Sequence, residues 1–308
     1  MTLQELLQNP DYKQKFVLEK FIRHTLNITR EEMRVQLERG LTTQESTEII
    51  NNYNSCTIDK KPLEYILGHV DFFGIPFYVD ENTIIPRPET EYMITAVTEF
   101  TKERQKKETE QKKSDFRVLL DIGTGSGVLG ISILLQNPDA YREVFLTDIS
   151  AEALIVAKKN YDTLISTPLM KGGSEAGGSQ NYDTRFIQSN LAAFIESYPI
   201  MKESPITLVS NFPYIPDDTF DNNALENVQK REPRLAFVGG EDGLELCRKM
   251  FQQIKEFKEK KLIREITMFL EMMTWQVDIL RKEFGDWLDF EEVKTFHFNI
   301  RIVKAWIK

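Results

Sequence analysis

Apolar residues follow two different rhythms along this chain. Up to about residue 80 they recur at helical spacing, as in Phe16-Val17-Leu18-Glu19-Lys20-Phe21-Ile22 and Met33-Arg34-Val35-Gln36-Leu37, between turns marked by Asn and Gly. From about residue 115 short apolar runs read as strands: Val118-Leu119-Leu120, Glu143-Val144-Phe145-Leu146-Thr147, Arg185-Phe186-Ile187, Ile206-Thr207-Leu208-Val209-Ser210, Ile266-Thr267-Met268-Phe269-Leu270-Glu271 and Phe298-Asn299-Ile300-Arg301-Ile302-Val303. Helical stretches separate them, the clearest being Val128-Leu129-Gly130-Ile131-Ser132-Ile133-Leu134-Leu135. The pattern predicts a small helical domain over residues 1–80, a connecting hairpin, linker and helix over 81–114, and a doubly wound α/β domain over 115–308. A Gly/Ser-rich stretch, Lys171-Gly172-Gly173-Ser174-Glu175-Ala176-Gly177-Gly178-Ser179-Gln180, precedes the third of these strands and reads as a flexible, dispensable insertion. No internal repeat is present.

Two of the strand ends carry chemistry. The run ending at Leu120 passes into Asp121-Ile122-Gly123-Thr124-Gly125-Ser126-Gly127 and then into a helix. A strand, a glycine turn and a helix N-terminus together form a Rossmann-like cofactor cradle, because glycine permits positive φ and close backbone approach. Asp148 closes the next strand about 20 residues on, where an acid typically accepts hydrogen bonds from ribose hydroxyls. Gly125-Ser126-Gly127-Val128-Leu129-Gly130 also satisfies the dinucleotide pattern G-x-G-x-x-G, so spacing alone does not separate NAD from S-adenosylmethionine. Asp121, an acid inside the turn, suits a cofactor with an amino-acid tail better than one with a pyrophosphate.

The second strand end is Asn211-Phe212-Pro213-Tyr214, after Ile206–Ser210. An amide or exocyclic amine can give its N–H hydrogens to the Asn211 side-chain oxygen and to the Phe212 carbonyl while Tyr214 covers its flat face. Pro213 offers no competing N–H and biases Phe212 toward an extended backbone. This is a preorganised clamp for a planar nitrogen, which fits methyl transfer rather than hydride transfer. Taken alone, the same four residues are also what an Asn-x-Pro turn leaving a strand looks like.

The order of motifs resembles the peptide chain release factor N5-glutamine methyltransferases. Pro62-Leu63-Glu64-Tyr65-Ile66-Leu67-Gly68, Phe72-Phe73-Gly74, Ile85-Pro86-Arg87-Pro88-Glu89-Thr90-Glu91, the glycine turn, the Asn-x-Pro-Tyr clamp and Glu232-Pro233-Arg234-Leu235-Ala236 follow one another as in that family, from about Lys61 to Leu270. The resemblance implies a Rossmann-like class I methyltransferase domain, α/β in class, behind a small N-terminal helical domain that docks the protein substrate. It implies S-adenosyl-L-methionine as cofactor and the Gly-Gly-Gln glutamine of class-1 release factors as substrate. Asn211, Phe212, Pro213 and Tyr214 would be catalytic. Asp121, Gly123, Thr124, Gly125, Ser126, Gly127, Asp148, Asn190, Leu191 and Asn211 would hold the cofactor, with Asp148 at the ribose and Asn190 beside the adenine. Arg87, Glu89 and Thr90 would pack over the cleft.

Departures from the family pattern are also visible. Phe212 replaces the first of two prolines, Leu191 stands where an aromatic residue is common, Asn190 where an Asp is common, and Met272-Met273 replace a His-Gly. Cofactor affinity is expected to be modest. The Phe212 variant keeps open an exocyclic amine of RNA or DNA as substrate, and the G-x-G-x-x-G pattern an NAD-dependent oxidoreductase or a nucleotide-binding regulator.

Composition narrows this only at the edges. The chain has 308 residues, 41% of them apolar, enough for one large domain and one small. The net charge of −9 argues against nucleic acid as a direct partner, and the basic run Lys102–Lys113 is interleaved with acids, as a solvated helix end would be. No apolar run reaches membrane-spanning length and the start resembles no targeting segment, so a cytoplasmic location is expected. Cys56 and Cys247 read as reduced thiols; His24, His69 and His297 lack ligand spacing, and no metal is expected.

Overall fold

The computed structural model describes all residues except 111–116, 166–181, 223–230 and 294–298. The Gly/Ser-rich stretch, part of the basic run and His297 lie outside the described residues. The chain divides into two compact units: residues 1–70 with 225–231, and residues 71–224 with 232–308.

The first unit holds α1 (Leu3–Gln8), α2 (Lys15–Leu26), α3 (Arg30–Val35), α4 (Thr43–Thr57) and α5 (Leu63–Leu67). Three of these helices begin at reciprocal caps. Thr2 with Glu5, Thr29 with Glu32 and Thr42 with Glu45 each exchange side-chain and backbone hydrogen bonds, satisfying donors that a helix start leaves unpaired. Leu3, Leu6, Leu18, Phe21, Ile22, Met33, Ile49 and Tyr53 form one buried cluster. Such short helices are marginal alone, and this shared apolar face stabilises them.

A two-stranded sheet, β1 (His69–Phe72) and β2 (Ile75–Tyr78), forms where the chain passes into the second unit. There follow α6 (Glu91–Glu110), β3 (Val118–Ile122), α7 (Val128–Gln136), β4 (Glu143–Asp148), α8 (Ala151–Leu164), β5 (Asp183–Gln188), α9 (Ile200–Glu203), β6 (Pro205–Ser210), α10 (Asp217–Asn222), α11 (Glu245–Glu259), β7 (Glu265–Met273), α12 (Thr274–Phe284), β8 (Leu288–Val293) and β9 (Ile300–Ile307). The main sheet runs β5-β4-β3-β6-β7-β9-β8. The first five are parallel, while β9 pairs antiparallel with β7 and β8. Continuous apolar runs suit a parallel sheet covered on both faces, and every residue of β3 and of β6 is buried.

The strand order reverses at β3. From there β4 and β5 lie to one side and β6 and β7 to the other, so the turns after β3 and β6 leave a crevice between them at their carboxyl ends. Those turns are the glycine turn and the Asn-x-Pro-Tyr clamp.

Candidate active site

The glycine turn is built on its own hydrogen bonds. The Gly123 and Thr124 amides donate to the Thr147 carbonyl at 2.8 and 2.9 Å, Gly125 to Asp148 Oδ2 at 2.9 Å, and Gly127 to the Thr124 carbonyl at 2.8 Å. Gly123, Gly125 and Gly127 all adopt positive φ, which makes the sharp reversal into α7 possible. Four amides that a pyrophosphate cradle would direct at its ligand are therefore already occupied. That arrangement disfavours the dinucleotide reading of G-x-G-x-x-G.

Asp121 lies under the turn and is fully buried. Its Oδ2 accepts from Thr124 Oγ1 at 2.7 Å and from the Gly130 amide at 2.9 Å, while buried Oδ1 has no hydrogen-bond partner among the described residues. Burial, against the pull of Thr124 and Gly130, lifts its carboxyl to about 6. Asp148 takes the Gly125 amide on one oxygen and the Ser150 amide, at 3.0 Å, on the other. Each oxygen keeps a second lone pair for a ligand hydroxyl. Asn190, beyond β5, is exposed. Leu191 has φ of 56° and turns its side chain into the main core with Phe145, Phe194 and Met250.

The clamp emerges one residue past the paired end of β6. Ser210 Oγ donates to the Ile122 carbonyl at 2.7 Å, tying the end of β6 to the end of β3. Asn211 Nδ2 donates to Thr90 Oγ1 at 3.0 Å, which leaves Oδ1 as the other end of that amide. Phe212 is buried in the main core, and a methyl group placed on Gly123 would lie 3.8 Å from its Cδ1. The Tyr214 hydroxyl donates to Glu271 Oε1 at 2.9 Å, and burial together with the Glu271 charge raises the Tyr214 pKa.

The chain after α10 backs the clamp. Ile215 donates to the Phe237 carbonyl at 2.9 Å and accepts from Gly239 at 3.0 Å. Buried Gln276 donates to the carbonyls of Tyr214 and Asp242 at 2.8 and 2.9 Å. Gly243, at φ of 73°, sits so close that an added Cβ would fall 2.0 Å from the Tyr214 carbonyl oxygen. Glu232, from the Glu-Pro-Arg-Leu-Ala segment, accepts from the Ile85 amide at 2.9 Å and pairs with Arg87 at 2.7 Å, its own side chain wholly buried.

Several of these contributors escape a reading of motifs. Asn160 spans from α8 to two segments, accepting from the Tyr78 amide at 2.7 Å and donating to the carbonyls of Tyr78 and Ser126 at 2.9 and 2.8 Å. Glu271 is 2% exposed and sits near the end of β7. Burial lifts its carboxyl to about 7, with Thr90, Tyr214 and Asn211 pulling the other way. A lone acid inside the apolar run Ile266–Met273 was the available signal, since an acid is almost never fully buried without a task or a partner.

This sheet order, with a glycine turn after β3 and Asn211-Phe212-Pro213-Tyr214 after β6, is that of a Rossmann-like class I methyltransferase domain. A family model described as "Methyltransferase small domain" matches residues 107–172. Proteins named release factor glutamine methyltransferase match over most of the chain: that of Bacillus anthracis at 31% identity, covering 78% of this chain and 74% of that protein, and that of Chlorobaculum tepidum at 34%, covering 71% and 67%. The chain belongs to the release factor glutamine methyltransferase family. Among solved structures, the ribosomal protein L11 methylase of Lactobacillus delbrueckii subsp. bulgaricus aligns over 75% of this chain and 84% of that one, with a TM-score of 0.42 and 13% identity, too remote to bear on function. Among the described residues, no helix is long and apolar enough to cross a membrane.

Proposed function

We propose that this enzyme transfers a methyl group from S-adenosyl-L-methionine to the side-chain amide nitrogen of the glutamine in the Gly-Gly-Gln motif of class-1 peptide chain release factors, in the cytoplasm. The observation that carries the reading is the orientation of Asn211. With Nδ2 held by Thr90, Oδ1 is the end left to accept an N–H from a planar nitrogen.

The residues under the glycine turn fit the cofactor. Asp121 keeps one buried carboxylate oxygen without a partner among the described residues, which the ammonium of an amino-acid tail would satisfy. Gly123, Thr124, Gly125, Ser126 and Gly127 would line the methionine part, Asp148 would take the ribose with its remaining lone pairs, and Asn190 would face the adenine, with Leu191 backing it from the core. The bound cofactor supplies an electrophilic methyl group on a sulfonium.

An amide nitrogen is a poor nucleophile because its lone pair is delocalised into the carbonyl. Asn211 Oδ1 and the Phe212 carbonyl accept its hydrogens and support the nitrogen as it loses planarity, while Tyr214 lies against the amide face and Pro213 keeps the turn rigid. Positioning and electrostatics supply the acceleration, and no covalent intermediate on the protein is needed. Helices α1–α5 are assigned the docking of the protein substrate.

The test is transfer of a labelled methyl group to purified release factor, beside a sample whose Gly-Gly-Gln glutamine is replaced. Label on the unaltered factor alone is expected. Asn211→Ala should lower kcat, and Asp148→Ala should weaken cofactor binding. Absence of label on either factor, with S-adenosylhomocysteine bound, would overturn the substrate and point to RNA.

A further inference from the structure

We infer that Gln276 is a positioning residue that sets where the Tyr214 ring lies against the substrate amide, an inference that rests on the clamp reading above. Gln276 stands in the first turn of α12, is 0% exposed, and lies 62 positions from Tyr214 in the chain. Its side-chain amide uses every hydrogen it has. Nε2 donates to the Tyr214 carbonyl at 2.8 Å and to the Asp242 carbonyl at 2.9 Å, while Oε1 accepts from the Met273 amide at 2.9 Å. All three partners are backbone groups of fixed polarity: the two carbonyls accept and the amide donates. The Gln276 amide therefore has one orientation, with both N–H bonds toward the clamp and the loop behind it. Among the described residues no backbone amide donates to either carbonyl, so their hydrogen bonds come from Gln276.

Tyr214 is thus held at both ends. Its hydroxyl meets Glu271 Oε1 at 2.9 Å and its carbonyl meets Gln276 Nε2, so the ring spans two fixed points, one on β7 and one on the helix that follows β7. The loop behind the clamp is tied to the same helix a second time. Asp242 takes the Arg248 guanidinium at 2.9 and 2.6 Å, and Arg248 pairs with Glu283 at 2.7 Å near the end of α12. The packing around these bonds is close. A Cβ on Gly243 would fall 2.0 Å from the Tyr214 carbonyl oxygen and 2.6 Å from Gln276 Nε2, and one on Gly239 2.2 Å from the Pro213 carbonyl oxygen. A glutamate in place of Gln276 has the same shape, but when ionised it would turn a carboxylate oxygen toward two carbonyls and donate to neither. The Tyr214 carbonyl would then draw back and take the ring with it, and a misplacement of about 1 Å can cost on the order of 100-fold in rate.

The test compares wild type, Gln276→Met, Gln276→Glu, Tyr214→Ala and the Gln276→Met/Tyr214→Ala double variant of the full chain, with labelled methyl transfer to release factor and S-adenosylhomocysteine binding as separate readouts. Gln276→Met keeps the length of the side chain and removes both donors; it should lower kcat about 30-fold while the S-adenosylhomocysteine Kd stays within about twofold. In the Tyr214→Ala background the same change should cost less than about threefold, because the ring it positions is gone, whereas a merely structural role would cost the same factor in both backgrounds. Gln276→Glu should lose as much near neutral pH and regain part of its kcat, relative to wild type, as pH falls, because a protonated carboxyl donates to one of the two carbonyls. That pH dependence decides the question should Gln276→Met not fold. A folded Gln276→Met enzyme with kcat within about twofold of wild type, equal losses in the two backgrounds, or a Gln276→Glu deficit that stays flat with pH would overturn the inference. Failure of wild type itself to label release factor would instead overturn the substrate reading on which it rests.

Discussion

Replacing Asn160 with alanine should loosen the glycine turn although Asn160 lies outside it. Asn160 is 1% exposed and makes three hydrogen bonds: with the Tyr78 amide, the Tyr78 carbonyl and the Ser126 carbonyl. Each such bond contributes about 1 kcal/mol net, and a buried group stranded without its partner costs about 1–3 kcal/mol. Water entering the space would recover part of the loss, which places the expected destabilisation at about 3–4 kcal/mol. For a domain of this size that corresponds to roughly 10 °C in melting temperature. Because the freed Ser126 carbonyl belongs to the turn proposed to hold the methionine part of the cofactor, S-adenosylhomocysteine should also bind about tenfold more weakly, a further 1.4 kcal/mol. Urea unfolding and calorimetric titration of the full chain read the two effects separately. A loss under about 1 kcal/mol with unchanged affinity would show that the bridge from β2 through α8 to the turn contributes little to stability and that the reasoning fails.

Other consequences are as direct. Gly243→Ala adds a Cβ 2.0 Å from the Tyr214 carbonyl oxygen at a backbone angle that favours glycine, so it should cut kcat at least tenfold by displacing the clamp, measured by methyl transfer at saturating substrates. Glu232→Ala leaves Arg87 without the acceptor at 2.7 Å and the Ile85 amide unpaired; a loss of about 3 kcal/mol in urea unfolding is expected, as for other broken buried pairs. Glu271, lifted from 4.5 to about 7, and Asp121, from 3.8 to about 6, hold protons more tightly folded than unfolded. Their contribution to stability is complete below the unfolded values and is lost as pH rises through the folded ones. Relative to Glu271→Gln, wild type should therefore lose about 3 kcal/mol between pH 4.5 and 7.5, and a difference between the two that stays flat with pH would contradict the raised Glu271 pKa.

The sheet and the two turns were legible in the sequence because their signals are local. Apolar runs such as Val118–Leu120 and Ile206–Val209, ended by a glycine turn or by Asn-x-Pro, need no knowledge of distant partners. The helical unit was legible by periodicity, while its threonine and glutamate caps are three-residue patterns that periodicity passes over. What stayed hidden joins residues far apart in the chain. Asn160 meets Tyr78 across 82 positions, Arg87 meets Glu232 across 145, and Asn211 meets Thr90 across 121. A polar residue at such a position looks like any other until the fold brings its partner to it. Leu191 is legible only by its place after β5; that its side chain, on left-handed backbone, packs into the core is set by the fold.

The Phe212 ring, lying against Gly123 while Ser210 reaches across to Ile122, has a consequence for how the enzyme tolerates change. The two turns are therefore joined twice, by the Ser210–Ile122 hydrogen bond and by an aromatic ring that leaves little room beside Gly123. Both links are made within the fold, by side chains of the segment at the end of β6. A different side chain at position 212 would shift the packing of both turns together rather than of one alone.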